Sequence, residues 1–188
     1  GTSGVLLLAR DAATARAIGA VFAAASQGQA RAVDKRYLAV VRGWPADTGE
    51  IDQPLARDPE APSTGQPRLP ACTRWWVRQR LALPLATDGR HADTRLAWVE
   101  VQPLTGRRHQ IRRHFKALAH PLIGDTTHGK GPLNRAVAET LGASRLWLHA
   151  LSLALPHPAT GAMLHLRAEP GDEWSAWSHY RAGDTPTP

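Results

Sequence analysis

Eight consecutive positions near the middle of the chain carry six arginine or histidine side chains. This stretch, RRHQIRRH at 107–114, lies in a segment from Val101 to Gly124 that contains no aspartate or glutamate. Guanidinium groups at this density can pair with phosphate oxygens or with one particular carboxylate, and imidazoles can bind a metal ion. The stretch is therefore the first candidate for chemistry in the sequence.

We predict that the stretch belongs to a helix whose N-cap is Thr105. At about 100° per residue, Ile111, Phe115 and Leu118 share one apolar stripe, which is typical of a helix packed on a core. The side chains on roughly the opposite side are His109, Arg112, Arg113 and Lys116. We therefore expect a ligand to bind to this polar side of the helix.

Arg107 and Arg108 occupy the first turn of this predicted helix. The helix dipole is already positive there, so each arginine costs about 0.3 to 1 kcal/mol. Helix amides together with guanidinium groups form an anion site, which favours phosphate as the ligand. Arg107 and His114 fall nearer the buried side, where supporting a loop or the core is their expected role. The alternative is a solvated basic face that binds nothing.

A metal site is the rival interpretation of the histidines in this region. His109, His114, His120 and His128 are separated by five, six and eight positions, which does not give the i, i+4 pair of a helical zinc site. No carboxylate lies among the first three, and the neighbouring arginines would repel a cation. We therefore expect no metal ion.

The overall charge favours an anionic partner. The 188 residues carry a formal net charge of +7, which is typical of proteins that bind a polyanion such as RNA or DNA. Only three of the 23 basic residues are lysine, but a GC-rich coding sequence enriches arginine as well. The positions of the basic residues therefore count for more than their number.

Cysteine content and hydropathy indicate a cytoplasmic protein. Cys72 is the only cysteine, which excludes an internal disulfide framework and a thiolate zinc site. No apolar run reaches membrane-spanning length, and no secretory signal is recognisable. We expect a monomer that makes no contact with a membrane.

The elements that position the basic stretch are expected to form a single α+β domain over residues 1–188. A strand is predicted at 5–9, where a continuous apolar run indicates that both faces of the strand are buried. Further strands are predicted at 35–43, from 49, at 73–83, at 94–102, at 145–156 and at 162–168. Helices are predicted from an Asp11 cap to Gly28, from near Pro132, and at 171–180. Residues 56–72 are rich in proline and small polar residues, which indicates a long loop.

Four blocks of the sequence occur in an order that identifies a family. They are GTSGVLLLAR at 1–10, KRYLAVVRG at 35–43, QPLTGRRHQIRRHFKALAHPLIGDTTHG at 102–129 and RLWLHALSLALPHPATG at 145–161. Over nearly its whole length the chain resembles the RluA family of RNA pseudouridine synthases, and HQIRRH with GDTTHG is closest to the tRNA pseudouridine synthase C branch. The resemblance implies a mixed, mostly antiparallel sheet with flanking helices and a cleft for a flipped-out base.

The resemblance also implies a reaction and its residues. The family isomerises uridine to pseudouridine in RNA without cofactor or metal, here with tRNA as the expected substrate and ribosomal RNA as the alternative. Tyr37 matches the tyrosine that stacks on the target base and is a candidate for removing the proton from C5, and Arg112 matches the arginine that pairs with the catalytic aspartate. The side chains expected to contact RNA are Lys35, Arg36, Arg107, Arg108, His109, Arg113 and Lys116.

The nucleophile of the family is an aspartate in an H-R-L-D-x-x-T-S-G segment. Thr2, Ser3 and Gly4 match the end of that segment, so the aspartate falls just before Gly1. We expect an N-terminally truncated form in which the 188 residues alone are inactive for want of this carboxylate. The alternative is a noncatalytic RNA-binding domain derived from such an enzyme.

Overall fold

A mixed sheet runs through the centre of the structure, a computed structural model that describes residues 1–27, 33–62, 64–86 and 91–182. Its strands, in chain order, are β1 (Ser3–Gly4), β2 (Asp34–Arg42), β3 (Thr48–Asp52), β4 (Leu55–Ala56), β5 (Arg68–Leu69), β6 (Cys72–Leu83), β7 (Thr94–Pro103), β8 (Leu148–Pro156) and β9 (Met163–Arg167). The helices are α1 (Ala12–Ser26), α2 (Gln110–Ala117), α3 (Gly131–Leu141) and a 3₁₀ helix (Asp172–Tyr180).

Within those ranges the main sheet has seven strands. The order is β1-β8-β2-β7-β6-β3, with β9 also paired to β8. β1 runs parallel to β8, and the other pairs are antiparallel. The predicted α+β class with a mostly antiparallel sheet is therefore confirmed. β4 and β5 form a separate two-stranded sheet, so the predicted loop at 56–72 begins and ends in a short hairpin.

The two faces of the main sheet carry separate parts of the core. On one face, α3 and the 3₁₀ helix cover Val40 and Leu96, and the 3₁₀ helix contributes the buried Trp174. On the other face, α2 packs Ile111 and Phe115. Phe115 is fully buried, which stabilises the fold by about 1.5 to 3 kcal/mol. The predicted apolar stripe of the basic helix is thus confirmed.

The start of α2 differs from the prediction, because Thr105 is not its cap. The helix begins at Gln110, and His109 occupies the N-cap position with a left-handed backbone, φ 54°. The Gln110 side chain accepts from the Thr105 hydroxyl at 2.7 Å and from the Arg107 amide at 2.9 Å. It also donates to the Cys72 carbonyl oxygen. These bonds hold 105–109 as a loop, so the predicted dipole cost does not apply to residues 107 and 108.

The predicted strand at 5–9 is wrong, since only Ser3–Gly4 pairs with β8. The Val5 amide still donates to the Ala150 carbonyl oxygen at 2.9 Å. From Ser152 onward the same edge of β8 is paired with β9, so no edge remains for a longer first strand. Leu6 and Leu8 are consequently exposed, at 77% and 76%.

Most other elements agree with the sequence-based expectations. The strands at 35–43, from 49, at 73–83 and at 94–102 and the hairpin of β8 and β9 are confirmed. Asp11 caps α1 by accepting from the Thr14 amide at 2.7 Å, and Pro132 lies in the first turn of α3. The predicted helix end at Gly28 lies outside the described residues. In the part of the chain that is described, no helix has the length and hydropathy to cross a membrane.

Candidate active site

A cavity of about 650 Å³ opens where the start of β2 meets the loop before α2. Six of the nine predicted site residues line it, and they are Lys35, Tyr37, Arg107, Arg108, His109 and Arg112. The other three, Arg36, Arg113 and Lys116, do not. Gly1 and Thr2 also line the cavity, so the start of the described chain lies beside the predicted catalytic side chains.

Tyr37 enters the cavity from the central strand of the sheet. Its backbone pairs with Val101 of β7 and Ala150 of β8, directly after a register shift between Arg36 and Tyr37. Burial raises the pKa of the Tyr37 phenol above its ordinary value, because the low-dielectric surroundings disfavour the phenolate. At neutral pH the ring is therefore an uncharged aromatic surface, which suits stacking on a base.

Arg112 is held by a two-point ion pair with Asp125. Its Nε lies 2.7 Å from Asp125 Oδ2, and its Nη2 lies 2.7 Å from Oδ1. The Asp125 side chain is fully buried, and Arg112 is 15% exposed. Oδ1 of Asp125 also accepts from the amides of Thr127 and His128, at 2.9 and 2.8 Å. The guanidinium is therefore fixed in orientation at the cavity wall.

The same contacts determine the charge of Asp125. Burial acts to raise its pKa, but the bonds from Arg112 and from the His128 and Thr127 amides outweigh burial, so the pKa lies below its ordinary value. Of the five N–H donors of a guanidinium, Arg112 uses two on Asp125. The remaining donors of Arg112 can bind a second carboxylate or a ligand in the cavity.

Asp125 was missed by the sequence analysis, which assigned Arg112 only to an aspartate before Gly1. It is the first acidic residue after the acid-free segment, and its side chain bonds to amides two and three positions later in GDTTHG. That local turn pattern is a signal that could have identified it as a structural carboxylate. The structure therefore gives Arg112 a carboxylate partner among the described residues.

His109 and His128 form a contacting pair at the same wall. Their Nδ1 and Nε2 atoms are 3.3 Å apart, and the rings meet edge to face. Burial lowers the pKa of each, and the positive charge of Arg112 lowers both further. Both imidazoles are therefore neutral at pH 7. The described residues contain no group of three or more His, Cys, Asp or Glu side chains arranged to hold a metal ion.

His114 is a core residue, as the helical wheel predicted. It is fully buried, with Nδ1 2.9 Å from the Thr73 hydroxyl and Nε2 3.0 Å from the Gln53 carbonyl oxygen. His120 lies elsewhere, with Nδ1 2.7 Å from the Arg42 carbonyl oxygen. Of the four histidines considered as metal ligands, only His109 and His128 come together.

Arg107 and Arg108 contribute two guanidinium groups to the cavity from the loop before α2, Arg107 half-buried and Arg108 exposed. Arg107 Nε donates to the Pro70 carbonyl oxygen at 2.9 Å. Arg108 donates to Glu60, and its Nη1 lies 3.7 Å from Asp58 Oδ1. The Arg108 side chain is 53% exposed, and surface ion pairs of this kind are weak. A phosphate can therefore displace these carboxylates.

Arg36, Arg113 and Lys116 lie away from the cavity. Arg36 contacts Asp34 and Glu100, at 3.2 and 3.4 Å, and stacks over a tryptophan ring. Arg113 Nη1 donates to the Ala56 carbonyl oxygen of β4 at 2.8 Å. Lys116 is exposed on α2. Their assignment to RNA contact stays a prediction, and for Arg36 the two carboxylates already supply the opposite charge.

Comparisons with known proteins connect this arrangement to one family. Residues 1–117 match the sequence model described as RNA pseudouridylate synthase. The chain is 40% identical over 177 residues to tRNA pseudouridine synthase C of Haemophilus ducreyi, covering 92% of this chain and 70% of the relative. It is 39% identical over 179 residues to tRNA pseudouridine synthase C of Yersinia pestis, covering 92% and 66%.

A solved structure has the same fold. Human RNA Pseudouridylate Synthase Domain Containing 1 superimposes with a TM-score of 0.66 at 24% identity, over 96% of this chain and 74% of that one. At this identity the likeness concerns the fold alone. The chain spans 66% to 70% of the length of the two bacterial relatives.

Proposed function

Since the chain belongs to the RluA family of RNA pseudouridylate synthases, we propose that it isomerises a specific uridine of structured RNA to pseudouridine. The observation that carries the proposal is the cavity that joins Tyr37 to Arg112. These are the two residues that the family resemblance assigns to the reaction. Gly1 and Thr2 line the same cavity, which supports a nucleophilic aspartate just before Gly1.

The proposed substrate is tRNA, with ribosomal RNA as the alternative. Relatives named tRNA pseudouridine synthase C, at 37% to 40% identity over 92% of this chain, support this choice. The cationic rim formed by Arg107 and Arg108 suits the phosphates of either RNA. The protein is proposed to act as a cytoplasmic monomer.

The proposed mechanism begins with extrusion of the target base, because a base that is stacked in RNA cannot reach into the cavity. Phosphate contacts at the rim offset an unstacking cost of a few kcal/mol. The base stacks on Tyr37, and the remaining donors of Arg112 orient the nucleophilic carboxylate and keep it ionised. The carboxylate assists cleavage of the glycosidic bond by attack on either the ribose or the base, and the electron pair of that bond stays on the uracil. The uracil turns, its C5 bonds to the ribose C1′ as the carboxylate is released, and the C5 proton passes to a base, for which the family resemblance offers Tyr37 as a candidate.

The 188 residues alone are expected to bind RNA without converting it. Among the described residues, the cavity lining contains no aspartate or glutamate. Asp125, the carboxylate that contacts Arg112, is fully buried behind it and already accepts four hydrogen bonds. It is therefore unable to attack a substrate.

Pseudouridine mapping tests the proposal. Unmodified tRNA and ribosomal RNA are incubated with the 188-residue chain and with the same chain preceded by an H-R-L-D-x segment. Pseudouridine is then located by carbodiimide labelling and primer extension. We expect one modified uridine in tRNA with the extended form only. Conversion by the 188 residues alone contradicts the assigned nucleophile, and RNA binding without conversion by both forms favours the noncatalytic RNA-binding domain.

A further inference from the structure

Lys35 presents an amine inside the cavity, two residues before Tyr37 on the same strand. Alternate residues of a strand face the same side and are about 6.6 Å apart, and both side chains line the cavity. Lys35 Nζ donates to the Thr105 carbonyl oxygen at 2.8 Å. This bond ties β2 to the loop before α2 and fixes where the ammonium lies.

Gly106 lies against this amine and against the end of α1. A Cβ at position 106 would come within 3.5 Å of Lys35 Nζ and within 3.3 Å of Ser26 Oγ. The end of α1, the loop and the amine are therefore in close contact at this wall. The ammonium is held by its surroundings, unlike the long mobile lysines of a protein surface.

The Lys35 ammonium has N–H donors that remain unused in the described part of the chain. An ammonium has three N–H donors, and in the described part of the chain Lys35 uses one, on Thr105. The carboxylate next to it in sequence, Asp34, is turned to other partners, since it accepts from Arg36 at 3.2 Å and from Gln102 at 2.7 Å. A ligand in the cavity therefore meets an ammonium with unused donors.

We propose that Lys35 is a catalytic residue that binds the target base itself, donating a hydrogen bond to a carbonyl oxygen of the uracil stacked on Tyr37. This inference rests on the proposed function. When the bond between N1 and the ribose C1′ breaks, the electron pair stays on the uracil and spreads over N1 and the two carbonyl oxygens. Lys35 stabilises that negative charge without giving up its proton, as other preorganised donors do for developing oxyanions.

This role differs from a phosphate contact. A phosphate-binding side chain at the rim acts through screened charge and contributes to the salt dependence of RNA affinity. Lys35 is partly buried and lies next to the stacking ring. Its removal should therefore slow turnover without weakening RNA binding in proportion, because the charge that it stabilises exists only after the bond breaks.

The protonation state of Lys35 provides an independent readout. Burial, followed by the charge of Arg107, lowers the pKa of Lys35 to about 8. The charged groups that share its surroundings are Asp34 on its own strand and Arg107, Arg108 and Arg112 in the cavity lining. The titratable groups Tyr37 and His109 in the lining are neutral at pH 7, and α1 contributes the uncharged Phe22 and Ser26. Since the charged form is the active one, kcat should fall as the pH rises through about 8.

The test compares K35M, K35R and a matched control, K130M, in the form that converts uridine. Lys130 is exposed at the start of α3 and lies outside the cavity lining. For each variant kcat, KM, the slope of RNA affinity against salt concentration and the pH profile are measured. We expect K35M to lower kcat about 100-fold with an unchanged salt slope, K35R to remove the alkaline fall in kcat, and K130M to behave as wild type.

Each outcome has a defined meaning. If K35M lowers affinity and salt slope as much as turnover, Lys35 binds phosphate and the inference is overturned. If kcat of K35R still falls at alkaline pH as it does in the wild type, the inference is overturned as well. This second readout does not depend on whether K35M folds. Wild-type protein that forms no pseudouridine overturns the proposed function together with this inference, whereas an active K35M overturns the inference alone.

Discussion

Arg112 and Asp125 meet through two bonds of 2.7 Å, with the carboxylate fully buried and the guanidinium at the cavity wall. A lysine cannot reproduce two parallel donors at this site. The pair therefore fixes the direction in which the remaining donors of Arg112 point.

Replacing Asp125 by asparagine should destabilise the protein, because the charge of Arg112 then lacks its partner. Breaking one side of a buried ion pair costs about 3 to 5 kcal/mol. The free energy of unfolding from urea titration measures the loss. The variants D125N, R112M and the double variant form a cycle, and coupling of at least 0.5 kcal/mol is expected. Strictly additive effects would show that the pair is not formed in solution.

Replacing Arg112 by lysine in the converting form should reduce turnover far more than RNA binding. The single ammonium cannot hold Asp125 and a nucleophilic carboxylate in fixed directions together. Single-turnover kinetics and filter binding separate the two effects, with R135K as control because Arg135 is an exposed arginine of α3. Equal losses in rate and affinity would remove Arg112 from the chemical step.

Arg108 and Arg113 should differ in their contribution to RNA binding. R108A removes an exposed cation at the rim, so the slope of log affinity against log salt should decrease in magnitude by about 0.9. R113A removes a bond to the Ala56 carbonyl oxygen of β4, and we expect the smaller change in slope. Fluorescence anisotropy with labelled tRNA at several salt concentrations measures both. A larger change for R113A would reverse the assignment.

His114 should make stability depend on pH. Burial lowers the pKa of His114, and the positive charge of Arg113 lowers it further. The hydrogen bond to the Gln53 carbonyl oxygen raises it, but the resulting pKa still lies below the ordinary value. The unfolded state therefore takes up a proton first as the pH falls below about 6.5. The contribution of the neutral, buried His114 to the free energy of unfolding is therefore complete above that pH, and it is lost as the pH falls through the pKa of His114 in the folded state.

The variant H114Q tests this dependence. Loss of the two buried hydrogen bonds should lower the free energy of unfolding by about 1 to 3 kcal/mol at neutral pH. The difference from wild type should become smaller at acidic pH. Urea unfolding between pH 5 and 8 measures it, and H165Q, at an exposed strand position, is the control. A stability difference between H114Q and wild type that stays constant across this range would contradict a neutral buried imidazole.

Local signals were sufficient to predict β2, the β8–β9 hairpin and the Asp11 cap, because each depends on neighbouring residues. Two predictions failed because distant contacts decided the outcome. The Gln110 side chain accepts from the Thr105 hydroxyl and donates to the Cys72 carbonyl oxygen, so α2 begins only at Gln110. β9 occupies the edge of β8, which leaves residues 5–9 without a partner strand.

The candidate site was predicted in part for the same reason. The cationic side chains were identified by type and spacing, but their grouping depends on how α2 lies against β2. The cavity therefore includes Lys35 and Arg107 and leaves out Arg113 and Lys116. Asp125 was missed because its partner lies 13 positions earlier, and only folding brings the two together.

The central position of β2 has a consequence for motion. β2 is hydrogen-bonded along both edges, to β7 and β8, so exposing the amides around Tyr37 and Leu38 requires opening of the whole sheet. In native-state hydrogen exchange these amides should be among the last to acquire deuterium. Amides of the loop at 105–109, other than that of Arg107, which donates to Gln110, should exchange early. RNA can then reshape the entrance to the cavity while the surface that receives the base stays rigid.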